Sequence, residues 1–139
     1  MLIISHRGNL SGPDTKIENL PKRIVDVTVL YDCEIDVWVK DNGSVYLGHD
    51  EPQYRVFDNF FENQRLWCHA KNLNALNYLI KLRTKCFYHN KDNYTLVSNG
   101  IIWAYPNMYV NAGCIIVDTT KKWRKHNYNC FGVCVDYIL

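Results

Sequence analysis

The chain has 139 residues, 47% hydrophobic and 22% charged, which is enough for one core and excludes an intrinsically disordered composition. Sixteen Lys and Arg face fourteen Asp and Glu, and the net charge of +2 is too mild to imply nucleic-acid binding. No apolar run approaches the roughly 20 residues of a membrane span. Met1 to Ser5 also lacks the basic and long apolar regions of a signal peptide.

The first apolar run, Leu2-Ile3-Ile4, ends abruptly in Ser5-His6-Arg7-Gly8-Asn9, which suits a buried strand with chemistry at its tip. A turn-rich loop, Ser11-Gly12-Pro13-Asp14, leads to a helix predicted from Asn19 to Leu30. Leu20, Ile24, Val27 and Tyr31 recur at helical spacing, with Asn19 as N-cap and Pro21 in the first turn. Glu34 to Val39 alternates polar and apolar residues with period two and reads as a strand. Trp38 is assigned to the face opposite Glu34 and Asp36, packed outward against a helix or a partner. Asp41-Asn42-Gly43-Ser44 is a hairpin turn, and the return strand Val45-Tyr46-Leu47 ends in Gly48-His49-Asp50. Leu66 to Ala70 is a further strand, followed by a helix capped by Asn72 and running to Arg83. Cys86 to Tyr88, Ile101 to Trp103, Cys114 to Val117 and Phe131 to Val135 read as strands with thin connections.

Strands alternating with helices favour a parallel sheet, and polar residues at the ends of buried strands favour a barrel with its site there. A full (β/α)₈ barrel needs roughly 250 residues. The expected fold is therefore α/β, a reduced TIM-type (β/α) barrel with several outer helices missing, formed by residues 1–139 as a single domain. Six cysteines, Cys33, Cys68, Cys86, Cys114, Cys130 and Cys134, sit in or beside the apolar runs. They read as reduced core residues of a cytoplasmic protein, with a disulfide framework as the alternative.

Four polar clusters fall at strand ends: His6-Arg7-Gly8-Asn9, Glu34 with Asp36, His49-Asp50, and His69 with Lys71. Glu34 and Asp36 share one face of their strand and would repel unless a cation or a base sits between them, a pattern that suits a hard, oxygen-liganded divalent metal. In order and spacing, His6-Arg7-Gly8, Glu18-Asn19, Glu34-x-Asp36-Val37 and Gly48-His49-Asp50 resemble the motif series of the glycerophosphodiester phosphodiesterases. That family belongs to the phosphatidylinositol-phospholipase-C-like barrels. The likeness is densest over residues 3–50. It continues through His69-x-Lys71, where the family carries Glu-x-Lys, and Gly132-x-x-x-Asp136-Tyr137, which resembles the family's last strand.

The resemblance implies metal-dependent hydrolysis of a phosphodiester, with a glycerophosphodiester as first choice. It implies His6 and His49 as general acid and base, and Glu34 and Asp36 as ligands of Mg²⁺ or Ca²⁺. Arg7 and Lys71 would neutralise the phosphate, and Glu18 and Asn19 match the family's Glu-Asn pair at the substrate site. His69 replaces the family's third carboxylate ligand, which lowers the site's negative charge by one and makes Mn²⁺ or Zn²⁺ acceptable. The alternatives are a phosphate-ester-binding protein with little turnover, or the same chemistry on a lysophospholipid or a nucleotide. The partner is a small-molecule phosphodiester, and no nucleic acid is expected.

His89 could line the same mouth or lie at a loop edge. Trp103 and Tyr105 are assigned mainly to core or rim packing. The basic run Lys121 to His126 reads as a solvated connection, with nucleic acid or an anionic membrane as the alternative.

Overall fold

The computed structural model describes all 139 residues. Ten strands form one sheet, and only two α-helices accompany it. In chain order the elements are β1 (Leu2–His6), α1 (Pro21–Val27), β2 (Asp32–Val39), β3 (Val45–Leu47), β4 (Tyr54–Val56) and β5 (Leu66–Ala70). Next come α2 (Leu73–Lys81), β6 (Lys85–Phe87), β7 (Tyr94–Leu96), β8 (Ile102–Ala104), β9 (Cys114–Asp118) and β10 (Gly132–Val135). Short 3₁₀ turns occupy Asp58–Glu62 and Trp123–His126. No helix is long and apolar enough to cross a membrane.

Seven strands run parallel, in the order β8-β9-β10-β1-β2-β5-β6. The β3–β4 hairpin continues from the distal half of β2, and β7 is antiparallel on the edge of β8. The outer members of the parallel set, β6 and β8, come together. Phe87 of β6 stacks on Trp103 of β8 with ring centroids 4.6 Å apart. Ser98, between β7 and β8, exchanges hydrogen bonds with the Cys86 backbone at 2.8 and 2.9 Å.

Period two along each strand explains both the core and the site. On the enclosed face, Ile4, Trp67, Phe87, Trp103, Ile115 and Cys134 pack into one buried cluster. Two residues further on, the same face carries His6, His69, His89, Tyr105, Val117 and Asp136. The other face of β2, β3, β5 and β6 buries Cys33, Ile35, Val37, Leu47 and Cys68 beneath Ile24 of α1 and Leu79 of α2. Each fully buried aliphatic or aromatic side chain contributes roughly 1.5–3 kcal/mol. Behind β8 to β10 there is no α-helix; Trp123, from the 3₁₀ turn, and Ile138 cover Ile116, Val133 and Val135 instead.

Three local expectations change. The first helix spans seven residues, not twelve, and Leu20 occupies its N-cap without a side-chain bond. Asn19 is unavailable as a cap because its backbone is left-handed, at φ 59°, and its side chain reaches Asp36. Trp38 does not face outward opposite the carboxylates. It is in phase with Glu34 and Asp36, and its indole N–H donates to the Gly48 carbonyl at 2.7 Å. The second helix starts as expected, with the Asn72 side chain accepting from the Ala75 N–H at 2.9 Å, but stops at Lys81. All six cysteines are unpaired, and five are buried.

Candidate active site

A cavity of about 440 Å³ opens at the C-terminal ends of the parallel strands. His6, Arg7, Glu34, His49, His69 and Lys71 line it. These include both histidines, both cations and two of the three metal ligands expected from the sequence. Asp36 lies beneath, fully buried. Glu18 and Asn19, expected at the substrate site, are not among its lining residues.

β1 ends at His6, and the chain then turns through two left-handed residues, Arg7 at φ 57° and Gly8 at φ 90°. A left-handed Arg is a strained residue of the kind that gathers at functional sites. Hydrogen bonds hold it: Arg7 N–H donates to the Glu34 carbonyl, and Asn19 N–H to the Arg7 carbonyl, both at 2.9 Å. Asn19 also donates from Nδ2 to Asp36 Oδ2, while its Oδ1 accepts from the Asp36 backbone N–H, each at 2.9 Å. The Glu-Asn pair is therefore a scaffold for the site. Glu18 accepts from Asn9 at 2.9 Å and lies 3.8 Å from Arg7.

Asp36 is the electrostatic centre. Arg7 Nε lies 3.2 Å from Oδ2, His69 Nδ1 3.2 Å from Oδ1, and Lys71 Nζ 3.9 Å from Oδ1. Burial opposes its charge, but His69, Arg7 and Asn19 hold the carboxyl well below the usual range. Glu34 moves the other way, pushed up by burial and by the neighbouring Asp36 charge.

His6, expected with His49 as general acid and base, has a partner to which the sequence assigned no role. Its Nδ1 is 2.8 Å from Asp136 Oδ1, which also accepts from Asn9 at 2.8 Å. Burial resists charging the ring, yet Asp136 and Glu34 outweigh it and raise the pKa of His6. Asp136 is lowered in turn, against the effect of its own burial, chiefly by the bond to His6. Nε2 of His6 lies 3.9 Å from Glu34. Asp136 and Asn9 join the candidate site through these contacts; the sequence placed Asn9 in the first polar cluster and Asp136 in the last-strand motif but gave neither a role. The signal available for Asp136 was a polar residue ending the last apolar run.

His49 lies on the loop after β3, with Nδ1 2.7 Å from Asp50. Gly48 shapes this loop, since a Cβ there would strike the Glu51 carbonyl. Its N–H donates to the Asp36 carbonyl at 3.2 Å, and Trp38 holds its carbonyl, so the loop is pinned to β2. His89, left between two roles by the sequence, lies on the cavity wall stacked on His69.

One oxygen or nitrogen from each of Glu34, Asp36 and His69 lies within 4.8 Å of the others. Glu34 Oε2 and Asp36 Oδ1 are buried without a hydrogen bond. The groups nearest to Asp36 Oδ1 are His69 Nδ1 at 3.2 Å and Lys71 Nζ at 3.9 Å. Buried carboxylate oxygens short of hydrogen bonds are costly and a divalent cation would satisfy them, so the residues present fit a metal ion. Two carboxylates and an imidazole make a mixed oxygen–nitrogen donor set.

No family model matches the chain, and no curated protein or solved structure matches it either.

Proposed function

We propose that this protein is a metal-dependent phosphodiester hydrolase whose substrate class is the glycerophosphodiesters. One observation carries the reading: a single cavity joins the Glu34–Asp36–His69 cluster to His6, His49, Arg7 and Lys71. We read the underlying fold as a reduced (β/α) barrel. Its support is the meeting of β6 with β8 and the gathering of polar side chains at the strand ends.

Glu34, Asp36 and His69 would hold a divalent ion, which when bound would supply Lewis acidity for a phosphoryl oxygen. Arg7 and Lys71 offset the charge of the phosphate, and Arg7 presents a planar fork suited to two of its oxygens. Asp136 fixes the His6 ring and favours its protonated form, so that Nε2 exchanges a proton with an oxygen in the cavity. His49 is the second proton-transfer group, presented from a half-exposed loop. A hydroxyl on the substrate itself serves as a nucleophile of high effective concentration. The six unpaired thiols support a reducing, cytoplasmic setting.

The test is turnover of a panel of glycerophosphodiesters, lysophospholipids and cyclic nucleotides by the purified protein, with Mn²⁺, Mg²⁺, Ca²⁺ or chelator. Metal-dependent release of a phosphomonoester or cyclic phosphate from the glycerol diesters is expected. Saturable binding with no product would make the protein a phosphate-ester binder instead. The close engagement of Asp36 by Arg7, His69 and Lys71 is the feature that would explain such an outcome.

A further inference from the structure

His89 has no role in the chemistry above, yet its ring lies flat against that of His69. The centroids are 4.5 Å apart and the planes differ by 5°. Phe87 contributes a second parallel ring, 5.1 Å from His69 and tilted by 9°. Phe87 and His89 are two residues apart on one face of the chain leaving β6, and their own rings are nearly parallel at 5.8 Å. Together they form a flat wall across from His69. The wall is firm, because Phe87 is 2% exposed and is backed by Trp103 at 4.6 Å. Nδ1 of His89 is buried and makes no hydrogen bond, so its contact with His69 is made through the ring face.

The identity of residue 69 gives the wall a purpose. A carboxylate presents two oxygens and several lone pairs, and so tolerates rotation when it binds an ion. An imidazole presents one lone pair, in the ring plane, and binds only when that plane contains the ion. The ring plane of His69 must therefore be set, with Nδ1 towards Asp36 and Glu34, where it lies at 3.2 and 3.9 Å. Parallel aromatic contacts do this, each worth roughly 0.5–1.5 kcal/mol. We propose that His89, with Phe87, is a positioning residue that fixes the ring plane of His69 as third ligand of the divalent-ion site. The proposal rests on the metal-site part of the functional reading, not on the identity of the substrate.

The experiment is calorimetric titration of Mn²⁺ into the full chain, with folding of each variant checked by thermal melting. His89→Ala should weaken Mn²⁺ binding roughly tenfold, the scale of losing an outer-shell partner. His89→Phe keeps a planar face and no nitrogen, and should restore affinity close to that of the wild type. If His89→Ala does not fold, His89→Leu fills the space without a plane and should show the same weakening. In a His69→Glu background, His89→Ala should change nothing, because a carboxylate needs no such plane. Wild-type affinity in the Ala and Leu variants would overturn the proposal. So would an equal loss in His89→Phe, which would assign the effect to the nitrogen. A wild type that binds Mn²⁺ but cleaves no diester refutes the hydrolase reading and leaves this one standing. A wild type that binds no Mn²⁺ refutes the positioning role.

Discussion

His6 Nδ1 lies 2.8 Å from Asp136 Oδ1, a contact between the first and last strand ends across 130 positions of sequence. The carboxylate orients the ring and favours its charged form, with Nε2 3.9 Å from Glu34. Asp136→Asn keeps the shape and removes the charge. The pKa of His6 then falls, and the limb of the pH–rate profile that reports His6 moves to lower pH. Turnover should drop on the order of 10²-fold or more, towards the loss expected for His6→Ala. Proton NMR titration of the His6 ring in both proteins checks the direction. An unchanged His6 titration would remove Asp136 from the mechanism.

Asn19 makes two hydrogen bonds to Asp36 from a left-handed backbone. Asn19→Ala leaves a buried carboxylate oxygen and a buried N–H without these partners, and places a Cβ-bearing residue with no compensating polar group at φ 59°. The expected cost is about 2–4 kcal/mol. Urea unfolding measures it. A loss below about 0.5 kcal/mol, the range of an ordinary surface change, would show that Asn19 is not a scaffold residue.

The donor set at the metal site predicts an order of affinities. Two carboxylates and one imidazole should bind Mn²⁺ or Zn²⁺ more tightly than Mg²⁺ or Ca²⁺. His69→Glu adds a hard oxygen ligand and a negative charge, and should raise Mg²⁺ and Ca²⁺ affinity. Glu34→Gln should weaken every ion and, like chelator, stop turnover. Competition titrations across the four ions decide the order, and Mg²⁺ binding that is indifferent to His69→Glu would exclude His69 as a ligand.

The thiols make a separate prediction. Cys33 and Cys68 are buried in the helix-covered core, and burial pushes both thiols far above their ordinary range. They are inert small hydrophobes there. Titration of the unfolded chain without reductant should find six free thiols, and dithiothreitol should leave the melting temperature unmoved. Fewer thiols with a reductant-sensitive melt would contradict both the core packing and the reducing setting.

Much of the scaffold is local in origin and so was legible along the chain. Alternation marks β2 because one face meets α1 and α2 while the other carries Glu34 and Asp36. Asn72 marks the start of α2 because its side chain can serve the third residue onward without tertiary help. Asn19 misled for the converse reason. The same residue type could cap a helix or clamp a carboxylate, and the choice depended on Asp36, seventeen positions away. The strands β4 and β7 are three residues each and owe their pairing to neighbours already in place, so no periodicity announced them.

The sequence by itself determined which residue types end each strand: the histidines, the carboxylate pair and the cations, all written as short apolar runs breaking into polar ones. Only the tertiary structure decided their partnerships. Strand order sets His69 beside Asp36, β10 beside β1 brings Asp136 to His6, and β6 beside β5 lays His89 on His69. The reason is physical. A strand's alternation is a property of its own backbone, whereas which strands adjoin is settled by burial of the whole apolar set at once.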